Sequence, residues 1–277
     1  MPPATDLHHT RPDALLHIAF YQFVRIDDVD LVVAHLRELT TALLGSVLVA
    51  PEGINGVLAG TAAVLDVFQQ MLQQDARFAQ IEFKRSACTT EPFARIKVRK
   101  RTEIVDLGVG DIDAVRKTGV AVSPQQWRAL IAADDVVVID NRNSFEYRLG
   151  HFNHAVDPQV ANFRDFPHYI EANAPAWKAA GKRVAMYCTG GIRCEKTSAW
   201  MDNMGIPVYQ LDGGILNYFR SMPDAEKDWQ GECFVFDNRI ALDTRLQETA
   251  TTLEDVYDGD PDGTWRLERA RRLDQAR

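Results

Sequence analysis

The sequence predicts two folded units in series: an α+β sandwich of βαββαβ order, then a parallel α/β sheet with helices on both faces. Three observations carry this. Residues 15 to 105 run strand, helix, strand, strand, helix, strand; beyond residue 120 unbroken apolar runs alternate with helical stretches; and 46 % apolar residues in a chain of 277 are enough for two cores.

In the first unit "HIAFYQF" reads as a strand and "DDVDLVVAHLRELTTALL" as a helix that places Val32, Leu36, Leu39 and Leu43 on one face. Strands "GSVLVA" and "GVLAG" follow. The helix "TAAVLDVFQQMLQQ", with Thr61 as its N-cap, aligns Val64, Leu65, Phe68, Met71 and Leu72. The strand "QIEFKRS" and the extended run "ARIKVRKRTEIV" close the unit. This order is that of a small ferredoxin-like sandwich, with both helices on one face of an antiparallel sheet and the other face open to a partner. We place this unit at 15–110, after a flexible N-terminus at 1–14.

The second unit, 120–225, opens at "VSPQQWRALIAA", where Ser123 as N-cap and Pro124 at the first helical position announce a helix. The runs "DVVVID", "HAVD", "RVAMYC" and "PVYQL" read as strands buried on both faces of a parallel sheet. Helical stretches "FPHYIEANA", "CEKTSAWMDNMG" and "GILNYFRSM" separate the later ones. Residues 226–277 read as an extension in which "ECFVFDNRIAL" is a short hairpin, while "EDVYDGDPDG" and "WRLERARRLDQAR" form a charged tail.

No N-terminal basic segment leads into an apolar run, and no stretch approaches the ~18 apolar residues that span a bilayer, so the expectation is a soluble, cytoplasmic protein with no membrane partner. The four cysteines, Cys88, Cys188, Cys194 and Cys233, form no C-x-x-C pair and are too few for a disulfide framework, which predicts reduced thiols. A formal charge of −8 argues against non-specific binding of DNA or other polyanions by the whole surface. Residues 80–101 nevertheless hold seven Lys/Arg against two Glu. At strand period two, Arg95, Lys97, Arg99 and Arg101 share one face and Ile96 and Val98 the other. Such a cationic stripe suits the phosphates of RNA, supplying affinity and salt dependence but little base specificity; a solvated strand face paired with carboxylates is the alternative.

The chemistry concentrates in "MYCTGGIRCEKTSAW". In an open α/β sheet ligands bind beyond the carboxyl ends of the strands, and Cys188 ends the apolar run "RVAMYC". If a helix begins near Cys194, the backbone N–H groups of Thr189, Gly190, Gly191, Ile192 and Arg193 curl round the sulfur. The helix N-terminus and the Arg193 cation then favour the thiolate, and the glycine pair supplies the backbone freedom. Cys188 is thereby a candidate nucleophile activated without a histidine base. Cys194 is either a resolving thiol or a first-turn helix residue, while Cys88 and Cys233 read as structural. The loop is C-x4-R, one residue shorter than the C-x5-R cradle of cysteine phosphatases, and a tighter ring of amides suits a smaller object such as a sulfur atom carried on the cysteine. His151 and His154 in "HFNH" lack a third ligand, so no metal site is expected. No Rossmann G-x-G-x-x-G, P-loop or 2-His-1-carboxylate pattern occurs, and no cofactor is evident.

The segment "VVVIDNRNSFEYRLGHFNHAVD", with Asp140, Arg142, Glu146, Gly150, His151 and Ala155, resembles the first signature of a rhodanese domain, and "LDGGI" resembles the signature after the active loop. The resemblance implies a rhodanese-like second domain in which Cys188 can carry a persulfide and Asp140 and Arg142 are a supporting pair. Together with "GSVLVAPEGINGVLAGT", "RIKVRKRTEIVDLG", "CTGGIRCEKTSAWM" and "GECFVFDNR", residues 15 to 245 resemble the rhodanese-like tRNA uridine-34 hydroxylase family. This resemblance implies oxygen-dependent formation of 5-hydroxyuridine at the wobble base, with molecular oxygen as co-substrate and the tRNA anticodon arm as partner. The chain has no cysteine after Cys233, a departure from the cysteine-rich segment that many members carry there. Two roles for Cys188 stay open: addition of its thiolate to C6 of the uracil, or reaction through a persulfide or oxidised sulfur. A sulfurtransferase is the alternative activity, and a non-catalytic tRNA-binding module a third reading.

Overall fold

A computed structural model describes residues 15–110, 112–116 and 119–275. The expected flexible segment 1–14 lies outside the described residues. The chain divides into two units, at Met1–Thr102 and Glu103–Arg277.

In the first unit β1 (Leu16–Phe23), α1 (Val29–Leu39), β2 (Leu44–Ala50), β3 (Gly53–Gly60), α2 (Ala62–Gln73), β4 (Lys84–Ala87) and β5 (Ile96–Lys100) follow in order. They form one sheet of order β4-β1-β3-β2-β5. The first four strands are antiparallel neighbours, as βαββαβ order requires, and β5 adds a fifth, parallel to β2. Alternation sends Ile18, Phe20, Val47, Val49, Ile54 and Leu58 into a core closed by Val32 and Leu36 of α1 and by Leu65, Phe68 and Leu72 of α2. Each such side chain taken wholly out of water contributes about 1.5–3 kcal/mol.

Three local expectations change. The first helix stops at Leu39 rather than Leu44: Thr40 caps it, its hydroxyl donating to the Leu36 carbonyl at 2.7 Å, and Leu43 reaches the core from the connection beyond. Thr61 occupies the N-cap of α2 without a capping hydrogen bond from its side chain, and Met71 is exposed at the edge of the apolar face. The strand expected at 80–86 begins only at Lys84, because successive turns through Phe78 and Ile81 first insert those two side chains into the core.

The second unit contains β6 (Val120–Val122), α3 (Pro124–Ile131), β7 (Val136–Asp140), α4 (Ser144–Leu149), β8 (Gly150–Phe152), α5 (Phe166–Ala179), β9 (Arg183–Tyr187), α6 (Ile192–Asp202), β10 (Val208–Leu211) and α7 (Gly214–Ser221). Then come β11 (Trp229–Gly231), β12 (Cys233–Phe234), β13 (Ala241–Leu242), α8 (Leu253–Tyr257) and α9 (Gly263–Gln275). The main sheet is parallel, of order β6-β10-β9-β7. Val138, Ala185, Tyr187 and Leu211 face α3 and α7, while Ile139, Val184, Met186 and Val208 face α5 and α6. Helices on both faces explain why these strands read as continuous apolar runs. The run "HAVD" contributes a single bridge, Val156 to Ile139. Ser123 caps α3 as its spacing predicts, accepting from Gln126 N at 3.3 Å while the Gln126 side chain accepts from Ser123 N at 2.9 Å.

Two boundaries move. Residues 103–110, expected in the first unit, belong to the second: Leu107 is wholly buried among the α5 and α6 side chains, and Glu103 pairs with the buried Lys196. Nor is the charged C-terminal stretch a solvated tail. Val256 and Tyr257 of α8 pack on Phe145 and Phe234, Arg266 of α9 lies 4.7 Å from the Phe145 ring centroid, and Arg148 of α4 pairs with Asp260 at 2.5 Å. Its charge pattern hid this because only Leu253, Val256 and Tyr257 of the stretch reach that small cluster.

Candidate active site

Cys188 is the residue immediately after β9, and α6 begins at Ile192, two positions before the expected start. The sulfur therefore sits between a strand end and a helix N-terminus, 1 % exposed, and the Gly191 N–H donates to it at 3.1 Å. Gly191 adopts φ of 105°, a conformation that only glycine takes without strain, whereas Gly190 does not: a Cβ on Gly190 would meet nothing within 4 Å. The two expected hinge glycines thus separate into one that turns the loop and one that leaves open space at its rim.

The second glycine pair supports the loop from below. Gly213 and Gly214 take φ of 67° and 71°, and a Cβ on Gly214 would lie 2.5 Å from the Cys188 carbonyl oxygen. This close approach lets the first N–H groups of α7 bond the loop: Ile215 N donates to Cys188 O at 3.0 Å and Leu216 N to Thr189 O at 3.2 Å. The signature "LDGGI" is spacing for backbone contact.

Arg193, in the first turn of α6, is 8 % exposed and forms a two-pronged pair with Glu146 of α4, both bonds at 2.8 Å. Its guanidinium also lies 3.4 Å from the Thr189 hydroxyl. Burial alone raises the Cys188 pKa. The hydrogen bond from the Cys194 thiol, the Arg193 charge and the backbone N–H groups of Cys194 and Gly191 outweigh it and bring it to about 5. Cys194, also 1 % exposed, is pushed far the other way by burial and by the Cys188 charge. The pair thus holds one thiolate and one thiol. Asn141 spans the site from the end of β7, its amide donating to Thr197 Oγ1 at 2.9 Å and reaching Cys194 Sγ at 3.9 Å.

Asp140 and Arg142 do not reach the sulfur. Both are wholly buried, joined at 2.8 and 2.5 Å, with Arg142 also donating to the Gly150 carbonyl and lying over the Tyr187 and Trp229 rings. Tyr187 donates to Asp140 at 2.7 Å. The pair braces the ends of β7 and β9, so its support for the thiol loop is indirect. Among the described residues no three His, Cys, Asp or Glu side chains are grouped to hold a metal. His151 instead stacks on Tyr147, with ring centroids 4.0 Å apart, and its Nδ1 contacts the Tyr147 carbonyl. Cys233 is buried and its thiol is pushed up to about 12 by burial.

In the first unit Lys97 and Arg99 lie on the sheet face away from the helices, beside Ser46 and Leu48 of β2, while Arg95 and Arg101 extend the alternation at either end. Arg95, Arg99 and Arg101 are exposed and Lys97 is half-buried. Lys100 falls on the helix side, where it pairs with Asp30 at 2.7 Å. Arg37 of α1, which the linear pattern did not flag, joins Lys97 and Arg99 along a shallow groove at the β5 edge.

Sequence reasoning thus found the loop and the stripe but gave no role to Glu146, Asn141 or Arg37. Glu146 was visible as a signature residue, yet its partner stands 47 positions away. No helix among the described residues is long and apolar enough to cross a membrane.

A low-pKa thiol on a C-x4-R loop at the end of a parallel strand defines the second unit as a rhodanese-type domain. The match to the Rhodanese-like domain covers residues 123–221, and that to the UPF0176 acylphosphatase like domain covers residues 15–104. The chain is 48 % identical over 237 residues to the tRNA uridine(34) hydroxylase of Synechococcus elongatus, covering 84 % of this chain and 87 % of that one. It is 41 % identical over 244 residues to the tRNA uridine(34) hydroxylase of Legionella pneumophila, covering 86 % and 94 %. Among solved structures, reduced Bacillus anthracis CoADR-RHD aligns at 11 % identity over 77 % of this chain and 35 % of that one, with a TM-score of 0.36. The chain belongs to the tRNA uridine(34) hydroxylase family.

Proposed function

We propose that this protein is a tRNA-modifying enzyme that hydroxylates the wobble uridine, position 34, to 5-hydroxyuridine, with molecular oxygen as co-substrate and Cys188 as the reacting group. The observation that carries this reading is the Cys188 thiolate, held near pKa 5 in a buried amide cradle, in a chain of this family. Arg95, Lys97, Arg99 and Arg101 hold phosphates of the tRNA, and the anticodon arm is the part engaged. A wobble uridine is unpaired, so it enters a pocket without the cost of breaking a base pair. The enzyme works in the cytoplasm, where tRNA is found.

A thiolate that adds to C6 of the uracil makes C5 an enolate carbon, which supplies the electron pair that bonds it to oxygen. A two-electron reductant and two protons then release the second oxygen atom as water. Loss of the C5 proton with departure of Cys188 restores the ring, now hydroxylated. Arg193 and the loop amides stabilise the thiolate before addition and after release, and Glu146 keeps Arg193 in place. A tRNA carrying 5-fluorouridine at position 34 lacks the proton that must leave, so it is expected to trap a covalent Cys188 adduct. Normal binding without an adduct would instead favour a persulfide or oxidised sulfur as the reacting species.

The deciding experiment is nucleoside mass spectrometry of tRNA from cells lacking the protein, complemented with wild type or Cys188→Ala. Return of 5-hydroxyuridine with wild type alone supports the hydroxylase. Unchanged 5-hydroxyuridine, together with Cys188-dependent turnover of thiosulfate and cyanide, would replace it with the sulfurtransferase that the rhodanese-type domain also suits.

A further inference from the structure

Phe236 stands out beside the thiol loop. It lies on the turn between β12 and β13 and is 62 % exposed, although large aromatic side chains are normally withdrawn from water. Its ring centroid is 5.9 Å from the Arg193 guanidinium carbon, and that guanidinium is 3.4 Å from the Thr189 hydroxyl, next to Cys188. The ring therefore stands beside the active loop. Gly190, on the same loop, leaves open space where any other residue would project.

The turn is built to hold the ring there. Val235 N donates to the Ile240 carbonyl at 2.8 Å, and Ile240 N to the Asp237 carbonyl at 3.0 Å. The neighbouring Asp237 and Arg239 form a buried ion pair at 2.7 Å, with Arg239 Nε also donating to Asp237 at 2.8 Å. The Phe234 and Phe236 rings are perpendicular with centroids 4.9 Å apart, and Phe234 is itself anchored against Phe145 at 5.1 Å.

We infer that Phe236 is a stacking platform for the pyrimidine ring of an unpaired nucleotide presented to Cys188. An aromatic face accepts a base whatever its hydrogen-bonding edge, which leaves recognition of uracil to the loop, while stacking fixes the plane in which C5 and C6 meet the sulfur. The inference rests on the hydroxylase reading and adds to it a residue that positions the base.

The test complements cells lacking the protein with wild type, Phe236→Ala, Phe236→Leu or Phe236→Trp at matched levels, and follows the rate at which 5-hydroxyuridine appears in newly made tRNA. Loss of one base–aromatic stack is expected to slow Phe236→Ala by roughly 5- to 150-fold. Phe236→Leu, apolar but without a ring face, stays slow, and Phe236→Trp restores the rate. Purified Phe236→Ala keeps the wild-type melting temperature and the wild-type salt dependence of tRNA binding, since the phosphate contacts are untouched. A wild-type rate for Phe236→Ala, or a Leu variant as fast as the Trp variant, overturns the inference while leaving the hydroxylase intact. If wild type itself restores no 5-hydroxyuridine, the hydroxylase reading fails and the inference falls with it.

Discussion

The stripe on β5 and the loop after β9 use arginine in opposite ways. Arg95, Arg99 and Arg101 are exposed, each one of several similar charges along a strand. Arg193 is buried, doubly bonded to one carboxylate, and acts on one sulfur. Exposed charges are screened by salt and share their task, so losing one costs little. A buried charge feels little screening, and an unpaired one is costly, so its loss is severe. The contrast suits the two proposed tasks: phosphates along a backbone tolerate approximate placement, and a reacting sulfur does not.

The largest effect is expected at the sulfur. Cys188→Ala should lower 5-hydroxyuridine formation by roughly 10³-fold or more, measured as initial rate on purified tRNA, with binding of that tRNA unchanged. Residual activity close to wild type would make the two regions alike, both mere binding surfaces. Next is Glu146→Gln, which leaves Arg193 buried without its paired carboxylate. The variant should lose about 3–5 kcal/mol in urea unfolding, and a loss under about 1 kcal/mol would mean that water reaches the pair.

The pH dependence sharpens the comparison. The folded thiol releases its proton near 5 and an ordinary cysteine near 9.0, so between those values the unfolded chain binds the extra proton. Stability should therefore rise with pH from about 5 to about 9, and fall as pH drops toward 5, relative to Cys188→Ala in the same series of urea titrations. Identical pH profiles for the two proteins would show that the thiol is not depressed. Cys194→Ala removes a hydrogen bond to the thiolate and should move the midpoint of iodoacetamide reactivity upward.

Smaller still is the effect on the stripe. Replacing Arg95, Lys97 and Arg99 together by Ala should reduce the slope of log affinity against log salt by about 0.9 for each phosphate that the stripe no longer neutralises. Lys100→Ala, on the opposite face and already paired with Asp30, should leave the slope alone. If the two variants behave alike, the face of the strand does not matter and the stripe reading fails.

Much of this was legible in the linear sequence because it depends on neighbours within a few positions. Alternation in "ARIKVRKR" separates Lys97 and Arg99 from Val98 whatever else the chain does, and β5 obeys it. A strand, a glycine pair and a helix start round Cys188 are likewise local. The β5 strand's place beside β2, in parallel, was not legible, because nothing in its pattern says which edge it joins. Residues 251–275 misled for a related reason: a charged stretch that docks through Leu253, Val256, Tyr257 and the Arg266 guanidinium looks the same in sequence as a solvated one.

By itself, then, the sequence determined the order of elements, the thiol at a strand end, the C-x4-R spacing and the face of the stripe. These follow from backbone geometry, whose periods of 2.0 and 3.6 residues are set by each short segment alone. The raised pKa of the Cys194 thiol, the pairing of Arg193 with Glu146 across 47 positions, the contact of Asn141 with Cys194 and the outward ring of Phe236 were decided only by tertiary structure. Charge and solvent act through space, falling with distance and burial rather than with separation along the chain, so no local pattern records them.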